Sequence, residues 1–445
     1  MNSSVNPLAV IWMISVSLEP FLLFSVNWGM GITTNISRLF QLVVFIIVSL
    51  NFLHKSKFVF SSFCVRNFLP YIYLMSYISI ITLISYAFNN DFHESSMGDI
   101  FFNRTFLEII ILWGQFFYFC ILAIYFLKNK LDFQYFFYIL FFLFIINFLI
   151  GWVDYFLSSV EIYWVPRHFS DGVFVGNRFH GIAGEPRDAA VIMLCVFFLY
   201  AIWSAYIRRN FSYPQKWIIF LLSISLYVTF SASLMIAILI SAVLIFIYNL
   251  KSIFISKFVN KYSIGILIGF CIIFISMFMF SERVYDYYLS YWDELSSLIS
   301  NPMQPTSNLV KVSYNNFYPL LSSLNEISQL NFVPSLFGHG LGASGVLNSQ
   351  IYGEFYNPNA QIIRLIYEYG LIGTIWFVYS YFYFLTRSGS IIDSSTLSNL
   401  MIVSIIMLSA YMAHRTNFFL ILLGLMAAVS NYHNLKKTTG LDFAK

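Results

Sequence analysis

Apolar runs of roughly 15 to 24 residues recur along the chain, each bounded by a short polar segment, and a helix of that length crosses about 30 Å of hydrocarbon. They fall near 8–25, 33–53, 68–88, 105–127, 133–156, 189–207, 217–230, 233–249, 262–281, 361–386, 397–413 and 417–432. Only Phe230 to Ser233 separates the halves of 217–249. The runs are continuous, whereas a β-barrel would show short strands alternating in polarity. The pattern predicts an all-α polytopic membrane protein of about twelve transmembrane helices. It forms a single transmembrane domain over 1–445, with outer segments at 157–188 and 282–360 and the larger of these late in the chain.

Composition agrees with that pattern. Hydrophobic residues make up 59% of the 445 positions, aromatics 20% and charged residues 10%, with a mean hydropathy of +0.75, more than a soluble core needs. The first run has no basic segment before it and carries Glu19-Pro20 within it, so it is expected to stay as a helix and not to be cleaved. Cys120, Cys195 and Cys271 fall inside expected helices and Cys64 in a basic connection, so no disulfide framework or zinc spacing is present. No cofactor is expected.

Charge then orients the helices, because short cytoplasmic connections retain Lys and Arg. One alternating set of connections is basic: Lys55, Lys57 and Arg66; Lys128 and Lys130; Arg208, Arg209 and Lys216; Lys251, Lys257 and Lys261; Arg387; Lys436, Lys437 and Lys445. These are read as cytoplasmic. The opposite side holds Arg104, Arg167, Arg178, Arg187, Arg283, Arg364 and Arg415, but Lys311 is its only lysine. Topology alone does not sort arginine from lysine. A site for phosphate or a similar oxyanion does, because the guanidinium is a planar fork that grips such oxygens and stays charged when partly desolvated. The alternative is that these arginines pair with neighbouring acids or reach lipid headgroups.

Two stretches concentrate the outer polar residues. Arg178 to Ala190, "RFHGIAGEPRDAA", carries Arg178, His180, Glu185, Arg187 and Asp188, and Glu185-Pro186 starts the helix that follows. A helix start attracts anions, and Arg187 there opposes the helix dipole, so serving an anion would explain it. The second stretch runs from "FGHGLGASG", Phe337 to Gly345, to "NPNAQIIRLIYEYGLIG", Asn357 to Gly373. Asn357 or Asn359 caps a membrane helix in which Arg364 and Glu368 share one face at i, i+4. Arg364 lies roughly 7 Å below that helix start, where charge is costly. Its reading is either functional or a local pair with Glu368. The glycines at 338, 340, 342 and 345 lack the Gly-Lys-Ser/Thr of a nucleotide loop, and a plain surface turn is favoured over an anion-binding one.

The element Arg178, Gly181, Glu185, Pro186, followed by Asn359, Glu368, Gly370 and Gly373 after a long outer segment, resembles the Wzy-type O-antigen polymerases and their O-antigen ligase relatives. Pro358 stands where ligases carry a histidine, and His339 is the nearest outer histidine upstream. The resemblance implies a GT-C-like membrane glycosyltransferase of the bacterial inner membrane that works at the periplasmic face. Its substrate would be undecaprenyl-pyrophosphate-linked oligosaccharide within the lipid, with no nucleotide sugar, no nucleic acid, and a chain-length regulator protein as partner. On this reading Arg178, Arg187 and Arg364 stabilise the leaving pyrophosphate, and Glu185 or His339 is the general base. His180, Arg283, Lys311, Tyr314, Asn359, Glu368 and Arg415 then contact substrate. Two other readings stay open: a ligase that delivers glycan to lipid A-core, and a flippase for the lipid-linked oligosaccharide. Against the flippase stand the lack of an internal repeat and the confinement of ions to the outer third.

Overall fold

In a computed structural model the described residues are 6–18, 25–27, 33–35, 41–48, 50, 62–88, 108–158, 160, 179, 319–320, 322–352, 361–388 and 418–439. The helices are α1 (Pro7–Leu18), α2 (Ser62–Phe88), α3 (Glu108–Phe126), α4 (Lys130–Ser158), α5 (Phe332–Phe337), α6 (Ala343–Tyr352), α7 (Gln361–Ser388) and α8 (Phe418–Thr439). Further helical turns lie at 41–48 and 322–328. Among the described residues, four helices are long and apolar enough to cross a membrane: Arg66–Phe88 in α2, α3, Leu131–Leu157 in α4 and Ile362–Phe384 in α7. Their 19 to 27 residues extend roughly 29–41 Å. The protein is therefore a helical membrane protein, and the runs expected at 68–88, 133–156 and 361–386 are helices, as is Glu108–Phe126 within the run expected at 105–127. The runs at 189–207, 217–230, 233–249, 262–281 and 397–413 lie outside the described residues.

Besides the helices, Ser25–Asn27 (β1) and Thr33–Asn35 (β2) pair antiparallel, with Val26 opposite Thr34, where the first two apolar runs were expected to end and begin. Val26, Thr33 and Thr34 are β-branched and lose side-chain freedom in a helix.

α1 starts at a proline whose missing N–H is no loss in a first turn, and the Asn6 side chain accepts from Leu8 N at 3.0 Å. Its buried face, Trp12, Met13 and Val16, packs on α3 and α4, with Trp12 against Phe126 and Phe136 at 5.5 and 6.0 Å between ring centroids. α3 takes a π turn over Phe117–Ile121. Such a turn disturbs the regular backbone pairing. Trp12 Nε1 donates to the Tyr118 carbonyl within it at 3.2 Å, and α8 comes so close that a Cβ at Gly424 would overlap the Phe119 carbonyl.

The turn into α4 is closed from both sides, in the manner of a capping box. Asp132 N donates to Asn129 Oδ1 at 2.9 Å, while Lys128 N and Asn129 N donate to Asp132 Oδ2 at 3.1 and 3.2 Å. α2 and α7 run antiparallel: Phe68 stacks on Phe384 at 4.8 Å, Tyr71 lies against Phe377 and Tyr77 against Trp376. Phe133 meets Tyr432 of α8 at 6.3 Å. These packings put the start of α2, the α3–α4 turn and the ends of α7 and α8 at one end of the bundle. That end holds Arg66, Lys128, Lys130, Arg387, Lys436 and Lys437 in sequence. The end of α2 and the starts of α3 and α7 form the other, with the 322–352 segment folded over them. Glu108, Glu326 and Glu368 lie there.

Candidate functional site

The site is organised by a break in α7. Gly370 has φ 68 and ψ 176, a left-handed, extended conformation that interrupts the helix two turns after its start. A break in a membrane helix frees carbonyls that lipid cannot satisfy. Here the glycine-rich segment satisfies two of them, since His339 N donates to Tyr367 O at 3.0 Å and Gly340 N to Glu368 O at 2.9 Å. The approach needs glycine on both sides. A Cβ on Gly338, which has φ 95, would overlap Glu368 O and the peptide joining Tyr369 to Gly370; one on Gly370 would overlap the backbone of Leu336 to Gly338. Leu341 N then donates to Thr82 Oγ1 of α2 at 3.0 Å. Gly340 to Val346 are buried. The surface turn expected for this stretch is thus a backbone clamp inside the protein, because its glycines let it lie directly on α7 and α2.

Two ionic groups sit on this frame. Arg364 and Glu368 are both buried, and Arg364 Nε donates to Glu368 Oε1 at 2.9 Å. The same oxygen accepts from Ser344 Oγ at 2.5 Å, so the first turn of α6 is tied to α7 through a carboxylate. Arg364 Nη2 lies 3.8 Å from Oε2 of Glu108 at the start of α3, within ion-pair range but too long for a hydrogen bond. One guanidinium therefore faces two carboxylates from different helices.

The second group lies beside it. The His339 ring stacks on Tyr367 with centroids 4.1 Å apart and planes 9° apart. Its Nε2 is 2.9 Å from Glu326 Oε1 and its Nδ1 3.2 Å from the Tyr367 carbonyl. Both partners accept, so both ring nitrogens must carry protons for both bonds to form. Ser335 Oγ donates to Glu326 Oε2 at 2.8 Å. Burial pushes the Glu326 carboxyl up, but the hydrogen bond and charge of His339, with the Ser335 hydroxyl, hold it below the usual carboxylate range.

The structure thus brings Arg364, Glu368 and His339 together. Arg178, His180, Glu185, Arg187, Arg283, Lys311, Tyr314, Asn359 and Arg415 lie outside the described residues. Phe179, between Arg178 and His180 in sequence, is buried against Trp152 and Phe148 in the second half of α4, at 5.7 and 6.5 Å. Four participants were not singled out from sequence: Glu108, Glu326, Ser344 and Thr82. Glu108 reads there as an ordinary acid at a helix start, and its partner is 256 positions away. Among the described residues, no three His, Cys, Asp or Glu side chains gather as a metal site would require.

Chemically, the arrangement presents a buried guanidinium at the edge of a membrane span. One of its donors is fixed on an internal carboxylate, and a second, more exposed carboxylate stands across from it. No family model matches the chain, and no curated protein matches it.

Proposed function

We propose that this chain is a polysaccharide polymerase of the inner membrane, a glycosyltransferase that moves a growing glycan from undecaprenyl pyrophosphate onto the next lipid-linked repeat unit at the periplasmic face. The observation that carries the reading is Arg364, buried in the first turns of a spanning helix and held in place by Glu368. It stands at the end of the bundle opposite the basic connections, on the side to which the sequence pattern assigns arginine almost to the exclusion of lysine. A charge at that depth is costly unless it has work to do.

Glycan transfer asks for two things at such an edge: a fixed cation near the leaving pyrophosphate and an acceptor for the proton of the attacking hydroxyl. Arg364 would supply part of the first. With Glu108 and Glu368 beside it, it does not hold a pyrophosphate alone, and the reading draws the remaining positive charge from Arg178 and Arg187. Each such donor contributes about 3–4 kcal/mol where charge develops on the leaving group. The resemblance of Arg178, Gly181, Glu185, Pro186, Asn359, Glu368, Gly370 and Gly373 to the polymerases supports the same assignment.

The test is the glycan of cells that lack this chain. Surface caps of a single repeat unit are the expected result, and they should lengthen again when the wild-type chain is restored but not with R364A at matched membrane abundance. Loss of the caps altogether would replace the polymerase with a ligase or a flippase. Unchanged long glycan would remove both classes.

A further inference from the structure

We propose that residues 332–338 re-enter the bilayer beside α2 and α7 from the outer side and rest against the acyl chains of the outer leaflet, without crossing it. Two helices measure how deep this stretch lies. On α7, Gly340 N reaches Glu368 O and the Leu336 carbonyl lies against Gly370, six and eight residues after Ile362, where that span begins. On α2, Leu341 N reaches Thr82 Oγ1, and the Phe337 carbonyl accepts from the Tyr77 hydroxyl at 3.1 Å; these residues stand six and eleven positions before Phe88, where that span ends. The two measures agree. They put Gly340 and Leu341 about 9 Å in from the outer helix ends, and Leu336 and Phe337 roughly 12–16 Å in. Half of a hydrocarbon core is about 15 Å.

Irregular backbone at that depth is tolerated only where its polar groups are bonded inside the protein. The turn after α5 meets this condition at four consecutive amides. Gly338 N donates to Pro334 O at 2.6 Å, His339 N to Tyr367 O, Gly340 N to Glu368 O and Leu341 N to Thr82 Oγ1. The chain also enters and leaves on one side, because Glu326 before α5 meets His339 after it at 2.9 Å, and Ser335 Oγ reaches back to Ser323 O at 3.0 Å.

What covers the far side of α5 follows from depth and chemistry together. Phe332, Val333 and Phe337 are 43%, 67% and 42% exposed, and between Glu326 and His339 the sequence has no ionisable side chain. At the same levels the spanning helices expose Tyr73 and Ile80 from α2 and Leu371, Ile372 and Ile375 from α7, the side chains a bilayer solvates. The open face of α5 continues that apolar surface. No Lys or Arg lies between Lys311 and Arg364, so the seat is hydrophobic and does not depend on headgroup charge. The outer segment expected at 282–360 is thus not wholly outside: part of it is anchored in the leaflet, and this holds whatever reaction the neighbouring site performs.

The experiment puts nitroxide labels on single cysteines, V333C and F337C, in the full chain with its native cysteines replaced by alanine, in liposomes of phosphatidylethanolamine and phosphatidylglycerol. Relaxation by oxygen, which partitions into lipid, is compared with relaxation by a water-soluble nickel chelate. Both labels should favour oxygen as strongly as a label at I80C on the open side of α2, and severalfold more than one at N325C. Nickel access equal to that at N325C would place the stretch in water, and protection from both reagents would mean that the chain's own residues cover it. Either result overturns the proposal. Should the cysteine-free chain fail to accumulate, the wild-type chain is reconstituted with a phospholipid that carries a diazirine in mid acyl chain. Photoadducts within Phe332–Phe337 are then expected, and adducts confined to the spanning helices overturn it equally.

Discussion

Two acid–base pairs stand at the same broken helix, one within it and one in the segment that covers it, and they are built to opposite specifications. Arg364–Glu368 is sealed in the span, its members 8% and 1% exposed, and its partners are fixed by a helix geometry of i, i+4. His339–Glu326 lies outside the span, its members 11% and 19% exposed, and joins two parts of the segment folded over the helix. Both distances are 2.9 Å. Equal geometry does not mean equal consequence. In the buried pair, loss of one member strands a charge in a poor solvent; in the outer pair, water can replace most of what is lost.

The sharpest way to break this comparison is to remove Glu368. E368A leaves Arg364 inside the protein with its own helix no longer neutralising it, and should lower stability by about 3–5 kcal/mol, seen as a fall in thermal midpoint or in membrane abundance. The double variant R364A/E368A should regain most of that stability while glycan stays short. A double variant as unstable as E368A would mean that the pair shapes the fold in some way beyond charge.

Next in size is the clamp itself. G338A places a Cβ on the backbone of Glu368 to Gly370 and also forces a side-chain-bearing residue to φ 95. A cost of roughly 2–4 kcal/mol is expected from strain and displaced hydrogen bonds together. The same substitution at Gly114, which has nothing within 4 Å of the added atom, should by comparison be neutral or slightly stabilising, as alanine favours a helix. Similar losses at both positions would refute the clamp.

A smaller effect distinguishes a point charge from a fork. R364K keeps the charge that offsets Glu368 but loses the planar set of donors, so polymer length should fall nearly as far as in R364A while stability falls by only about 1 kcal/mol. Full-length polymer from R364K would leave Arg364 as a structural ion.

The smallest effect belongs to the outer pair, about 0.5–1 kcal/mol for E326Q at neutral pH. Its pH dependence gives it a signature. The Glu326 carboxyl is held below its ordinary range in the folded chain, so its contribution is fully present above the ordinary carboxylate pKa of about 4.3. It fades as pH falls through the lowered value. Wild type and E326Q should therefore converge in acid, and a constant gap between them would mean that the charge is not what Glu326 supplies.

The runs at 68–88, 105–127, 133–156 and 361–386 were legible because bilayer thickness sets the length of any segment that crosses it, whatever the neighbours do. Arg364 and Glu368 were legible as a pair because helix periodicity is local. Thr82, Glu108 and Ser344 were not, since their roles come from packing between helices far apart in sequence, and nothing local marks a threonine or a glutamate as a partner. The glycines of 338–345 were visible, but their use was misjudged as a turn at the surface. A glycine that frees the backbone for solvent and one that frees it for another backbone look alike in a sequence. Gly370 was noticed as part of a motif, while the break it makes depends on the segment that covers it.

That break also bears on how the chain enters the membrane during synthesis. An arginine and a glutamate near the start of a transmembrane helix raise the free energy of its insertion, by up to about 2.5–3.5 kcal/mol each if carried to the centre of the bilayer. Because α7 is interrupted at Gly370, its apolar portion from Leu371 onward can be handed to the lipid as one segment, and the charged portion from Gln361 to Tyr369 need not follow along the same axis. The covering segment, residues 338–346, precedes α7 in the chain and is already made when the helix emerges. The order of synthesis thus delivers the receptor for the broken end before the end itself, and the two polar carbonyls at Tyr367 and Glu368 can be bonded as soon as the helix is released from the ribosome.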